Sequence, residues 1–288
     1  GITTIQIDAQ NNDTAGGGSD SADDVLVTVN DIVDEVIEIQ SLDGTGSATV
    51  NLSSVVLNLK TDTGESDSIS IKTLNPSSTS TTVLDALTVD SSDGGGTANT
   101  LPEIVNLEIG STDVSSVDGT AIASLSLAYS ETLNITGSGD ATITAVELRD
   151  PSGTSTATIN AGTYTGNLTL GTTSTGFKTT AADTVSLTLG SGTNTVDYAA
   201  EALSADVITA TAGTADTVKI TEASTDVEMT IDGVEDLEIR GGGASKVISA
   251  KNFTNVETIE LYDTADAGGD DIKLTNVAAT QAIEIHST

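Results

Sequence analysis

Apolar residues in this chain come in short alternating runs. Examples are Ile2–Ile7 (ITTIQI), Val25–Val29 (VLVTV), Val55–Leu59 (VVLNL), Ile69–Ile71, Leu125–Leu127, Leu168–Leu170, Val185–Leu189 (VSLTL), Val218–Ile220 and Val247–Ile248. The runs are rich in β-branched residues and have a period of two, which predicts half-buried strands. Gly, Asp, Asn, Ser and Thr separate them, and only 3 prolines interrupt backbone pairing. Helical patterning is scarce. Ala199–Ser204 (AAEALS) predicts a turn or two of helix, and Asp31–Val36 predicts a weaker one.

One phrase recurs along the chain. It reads VDEVIEIQ from Val33, PEIVNLEIG from Pro102, SETLNITG from Ser130, GVEDLEIRG from Gly233, NVETIELYD from Asn255 and QAIEIHS from Gln281. Its last apolar residues are Ile39, Ile109, Ile135, Ile239, Leu261 and Ile285. Copies follow one another closely from Ile109 to Ile135 and from Ile239 through Leu261 to Ile285, and other β runs partly fill the wider gaps. A loose period with no fixed internal spacing predicts an all-β parallel solenoid (β-helix or β-roll-like) with irregular coils of about 19–26 residues. Val, Ile, Leu and Ala would fill the interior, Thr and Ser would form outward ladders, and Asn, Asp and Gly would turn the corners. Tandem Ig-like sandwiches of about 100 residues are the alternative architecture. Residues 1–10 read as an N-terminal strand, 11–24 as a flexible acidic linker and 25–288 as a continuous solenoid body.

Composition narrows the function. The 288 residues carry 43 Asp+Glu against 9 Lys+Arg, for a formal charge of −34. Such a chain repels a nucleic-acid backbone and an anionic membrane surface. No run approaches the roughly 20 apolar residues that span a bilayer, so direct membrane insertion is not expected. The absence of Cys removes disulfides and thiolate metal sites, and it fits an exported bacterial protein. The chain starts at Gly1 without a signal-peptide pattern, which reads as a processed protein or an excised fragment. With 2 Phe, 4 Tyr and no Trp, the core is aliphatic, as expected of a narrow solenoid interior with little room for rings.

The stretch GVEDLEIRGGGASKVISAKNFTNVETIEL (233–261), together with GSGDATITA (137–145), GSGTNTVDY (190–198) and AGTADTVKI (212–220), resembles RTX-type, type I-secreted bacterial surface-layer proteins of the Caulobacter kind. The family's nonapeptide G-G-x-G-x-D-x-hydrophobic-x does not occur intact. The resemblance implies a calcium-dependent extracellular lattice built from β-solenoids.

The residues offer calcium a ligand set of their own. Calcium takes six to eight oxygens, and acidic clusters on Gly-rich turns supply them. Asp263, Asp266, Asp270 and Asp271 lie in one turn, and Asp20, Asp23 and Asp24 lie in the first linker. Asp62, Glu65 and Asp67 lie in TDTGESD, and Asp90 and Asp93 in VDSSDGGG. Each cluster also reads as a solvated acidic turn, and halophily would explain the acidity equally well. Several bound calcium ions would relieve the self-repulsion of a compact anion.

Catalysis is not expected. A solenoid enzyme acting on carbohydrate needs a base or paired carboxylates in an aromatic-lined groove. Here the arginines are Arg149 and Arg240, and the single histidine, His286, reads as a frayed terminal side chain. The Asn-x-Ser/Thr sequons at Asn12, Asn51, Asn134, Asn167 and Asn252 are no more than a Thr-rich chain produces. The expected function is a secreted structural component of a self-assembling surface layer, with the chain itself as partner. An adhesin or biofilm-matrix module, with cell-surface polysaccharide as a further partner, is the alternative. The first strand, Gly1–Asp8, would either cap its own first coil or pair with the open edge of a neighbouring subunit.

Overall fold

The computed structural model describes residues 3–10, 26–33, 35–42, 51–60, 67–74, 82–91, 104–110, 119–127, 130–148, 156–172, 176–178, 184–199, 202–210, 215–221, 227–241, 246–263 and 272–287. They form a parallel β-solenoid. A 10-stranded first sheet runs from Thr4–Gln10 through Val36–Leu42, Ser68–Leu74, Ile104–Ile109, Thr132–Gly137, Ala157–Asn160, Val185–Thr188, Val207–Thr209 and Thr230–Asp232 to Phe253–Thr254. A 13-stranded second sheet runs from Leu26–Ile32 through Ser54–Leu59, Thr82–Ser91, Gly119–Leu127, Asp140–Ile143, Leu168–Leu170, Thr195–Asp197, Thr217–Thr221, Asp236–Arg240 and Thr258–Asp263 to Ala282–Ser287. Asn51–Leu52 and Val146–Leu148 lie beside this path. A third, short side pairs Lys246–Ser249 with Ile272–Thr275.

Alternation along each strand becomes stacking between coils. Within the paired strands, inward residues lie on their counterparts one coil away, because parallel pairing repeats the same face. Ile69, Val105, Leu133, Ile159, Leu187, Ile208, Ile231 and Phe253 form one unbroken buried column in the first sheet. Leu84, Ile122, Ile143, Leu170, Val196, Val218, Leu237 and Ile259 form its counterpart in the second. Each fully buried aliphatic side chain stabilises the stack by roughly 1.5–3 kcal/mol relative to exposure. Thr73 interrupts an Ile column, and its buried hydroxyl is matched by Thr120 Oγ1 at 2.9 Å. Outward positions carry ladders, including Asn106–Asn134–Asn160 with carboxamide bonds of 2.9 and 3.4 Å.

Coil length is more variable than the sequence implies. Val218 pairs with Leu237, whereas the step along the chain from Leu87 to its partner Leu125 is twice as long. The short coils lie in the C-terminal half, and the N-terminal coils carry longer connections. The repeated phrase also changes sheet. Ile39, Ile109 and Ile135 belong to the first sheet, and Ile239, Leu261 and Ile285 stack in register in the second.

Other expectations need correction. Neither helix candidate is helical in the described residues. Asp31 lies near the end of a strand at φ 59°, and Ala199 adopts φ 45° with its N–H donated to Asp197 Oδ1 at 2.8 Å. Both positive φ values break helical geometry. The interior does admit rings: Tyr164, Phe177 and Tyr198 are fully buried, with Phe177 and Tyr198 edge to face at 4.9 Å. The first strand pairs in parallel with Val36–Leu42 of its own chain. The expected linker, 11–24, lies outside the described residues.

Candidate functional site

Of the expected calcium ligands, Asp67, Asp90 and Asp263 fall within described segments. Asp67 precedes a first-sheet strand, and its carbonyl accepts the Ile104 N–H at 3.1 Å. Asp90 is exposed on the second sheet, opposite Asn58, which itself donates to Asn30 at 2.7 Å. Asp263 ends the strand Thr258–Asp263 and is the register partner of Ser287. The fold distributes these three along the stack and does not bring them together. Asp20, Asp23, Asp24, Asp62, Glu65, Asp93, Asp266, Asp270 and Asp271 lie outside the described residues, as does Arg149.

A polar column that the sequence reading missed lies at one corner. Asp140, Asn167, Asn194, Asp216 and Glu235 sit at the entry to successive second-sheet strands, and each serves the coil beside it. The Asn167 N–H donates to Asp140 Oδ1 at 3.0 Å, and the Thr193 N–H to Asn167 Oδ1 at 2.9 Å. The N–H groups of Leu168, Asn194 and Asp216 donate to Asn194 Oδ1, Asp216 Oδ1 and Glu235 Oε2 at 3.2, 2.9 and 2.8 Å. Backbone donors enclosed at a corner need acceptors, and these side chains supply them. Burial pushes the Asp216 carboxyl up to about 6, against hydrogen bonds from Asn194 that hold it down and the nearby Glu235 charge that raises it. The legible signal was an Asx residue directly before the apolar alternation in GSGDATITA, GSGTNTVDY and AGTADTVKI.

Glycines let this corner close. A Cβ on Gly166 would lie 2.0 Å from the Gly139 carbonyl oxygen, and one on Gly192 would lie 1.9 Å from that of Gly166. The buried Tyr164 hydroxyl donates to the Gly139 carbonyl, tying the same corner to the core.

The middle coils also bury a charge pair. Lys178 Nζ lies 3.1 Å from Asp206 Oδ2, with the two residues 3% and 0% exposed. Asp206 further accepts the Val185 and Leu203 N–H groups, both at 2.8 Å. The pair therefore anchors three segments of the chain in an apolar interior.

The outer face of the second sheet gathers charged and aromatic side chains at its C-terminal end. Lys219, Glu238, Glu260 and Glu284 form one column, and Thr221, Arg240, Tyr262 and His286 form the next. Lys219 and Arg240 contact Glu238 at 3.0 and 2.6 Å. Burial raises the Glu238 carboxyl, and these two hydrogen-bonded cations more than offset it, holding the group below the usual range. Arg240 lies over the Tyr262 ring at 5.5 Å. His286 is not frayed: its ring stacks on Tyr262 at 4.5 Å and 8°.

A separate hollow of about 370 Å³ is lined by Ser204, Val227, Glu228, Val247, Ser249, Thr275 and Asn276. Glu228 there faces Lys251 at 3.5 Å, an exposed pair. No protein-family model, curated protein or solved structure matches the chain.

Proposed function

We propose that this chain is a structural component of an extracellular surface layer or a related self-assembling lattice, with calcium held on its acidic turns. The observation that carries this reading is the uninterrupted parallel stack and the character of its outermost strands. On Ala282–Ser287, the last second-sheet strand among the described residues, the inward-facing Ile283 and Ile285 are 46% and 77% exposed. A parallel strand that leaves inward apolar residues uncovered accepts a further strand, and head-to-tail addition of copies gives an open filament or sheet. In-register aliphatic columns make each unit stiff along its axis. A formal charge of −34 opposes close packing of copies, and divalent cations between carboxylates relieve it.

Electron microscopy and sedimentation of the purified chain, in chelator and in millimolar calcium, test the proposal. Ordered sheets or filaments that form with calcium and dissolve in chelator support it. A monomer at every calcium concentration overturns it. A melting temperature that sodium chloride raises as much as calcium does assigns the acidity to salt adaptation.

A further inference from the structure

The last two strands of the second sheet bring two carboxylates and the chain's single histidine to one point on the outer face. Glu260 and Glu284 are register partners, and so are Tyr262 and His286. One ligand atom from each of Glu260, Glu284 and His286 lies within 4.8 Å of the others. His286 Nε2 is 3.9 Å from Glu260 Oε2 and 3.8 Å from Glu284 Oε2. These separations exceed hydrogen-bond range. The Nε2 atom itself is covered by its neighbours and has no hydrogen-bond partner, while the His286 side chain as a whole is 39% exposed.

Charge adds a second, independent feature. Carboxylates directly opposite on neighbouring strands repel. One coil earlier the same column is compensated, because Lys219 and Arg240 both contact Glu238. Among the described residues, the one basic side chain within 4 Å of Glu260 and Glu284 is His286, which compensates them only when protonated. A divalent cation seated between the three side chains would give the orphaned nitrogen a partner and neutralise both carboxylates.

Tyr262 holds two of the three side chains in place. The Tyr262 hydroxyl donates to Glu260 Oε2 at 2.6 Å, and its ring lies parallel to the imidazole. One residue thereby orients two ligands, which is what outer-shell partners of metal sites do.

We infer that Glu260, Glu284 and His286 form a binding site for a borderline divalent metal ion of the zinc class, with water completing the coordination shell. An imidazole nitrogen beside two carboxylate oxygens suits zinc. Calcium seeks oxygen ligands in greater number and gains nothing from the imidazole. The inference is therefore independent of the calcium-dependent assembly proposed above, and either can fail alone.

The single histidine makes the test direct. The full chain, stripped of metal, is titrated with zinc sulfate while the imidazole C–H resonances are followed by NMR, with and without millimolar calcium. The resonances are expected to shift and saturate at one equivalent of zinc, with calcium unable to prevent it. His286→Ala and Glu284→Gln are each expected to weaken zinc binding about tenfold or more, and Tyr262→Phe severalfold, with the backbone amide spectrum otherwise retained. Imidazole resonances that respond to pH but not to zinc overturn the site. So does calcium that moves them as far as zinc at equal concentration, or a His286→Ala chain that binds its first zinc as tightly as the parent.

Discussion

Asn194 and Asp216 lie one above the other at a corner of the solenoid, both fully buried, and the Asn194 carboxamide donates to Asp216 Oδ1 at 2.9 Å. The Asn194 backbone N–H meets the same oxygen, and Asp216 Oδ2 is buried without a hydrogen-bond partner. Burial therefore favours the protonated acid and raises its pKa to about 6. A carboxyl whose folded pKa is raised contributes stability that is present below its unfolded value and lost as pH rises through the folded one. Asp216→Asn cannot ionise. Its stability relative to the parent should improve between pH 4 and pH 7 by on the order of 2–3 kcal/mol. Urea denaturation of both chains at the two pH values measures this. A parent–variant difference that does not change with pH would show that Asp216 ionises as easily folded as unfolded.

The Lys178–Asp206 pair makes a different prediction. Removing one partner leaves the other charged and buried, which costs about 3–5 kcal/mol. Lys178→Met should therefore destabilise the chain strongly. Adding Asp206→Asn removes the stranded charge and keeps an acceptor oxygen for one of the Val185 and Leu203 N–H groups, so it should recover part of the loss. Denaturation midpoints for the two single variants and the double variant form the cycle. Additive losses would mean that the two side chains do not interact.

Close approach of coils is testable at the glycine corner. Gly166→Ala and Gly192→Ala each place a methyl against a neighbouring carbonyl oxygen that belongs to the backbone and cannot swing aside. Each should lower stability by about 1–3 kcal/mol or more, as overpacking does. Gly162→Ala is the control, because its nearest neighbours are side-chain atoms at 3.3 Å. Equal melting temperatures for all three would show that the corner opens freely.

The strands were legible because a sheet buried on one face must alternate. VVLNL and VSLTL emerge as the strands Ser54–Leu59 and Val185–Thr188, with Val55, Leu57 and Leu59, and Val185 and Leu187, facing inward. The coil length was less legible, because loop insertions leave the strand pattern untouched while moving the next strand by up to a coil's length. The switch of the repeated phrase from one sheet to the other hides in the long gap between Ile135 and Ile239 for the same reason. Asn194 and Asp216 read as turn residues, since their burial depends on partners in the adjoining coil. Glu260 and His286 are distant in sequence and meet only through strand register, which no local pattern encodes.

The first strand supplies the last prediction. Thr4–Gln10 pairs along its whole length with Val36–Leu42 and covers Ile37 and Ile39, which are fully buried, while Ile7 is itself 7% exposed. Deleting residues 1–10 removes that cover and exposes a new parallel edge carrying two isoleucines. Restoring solvent to each such side chain costs roughly 1.5–3 kcal/mol. The truncated chain should denature at lower urea concentration as a monomer, and its bare edge should increase association at high concentration. Urea melts at low concentration, paired with sedimentation across a concentration series, separate the two effects. An unchanged monomer midpoint together with lost association would instead assign the strand to a neighbouring subunit.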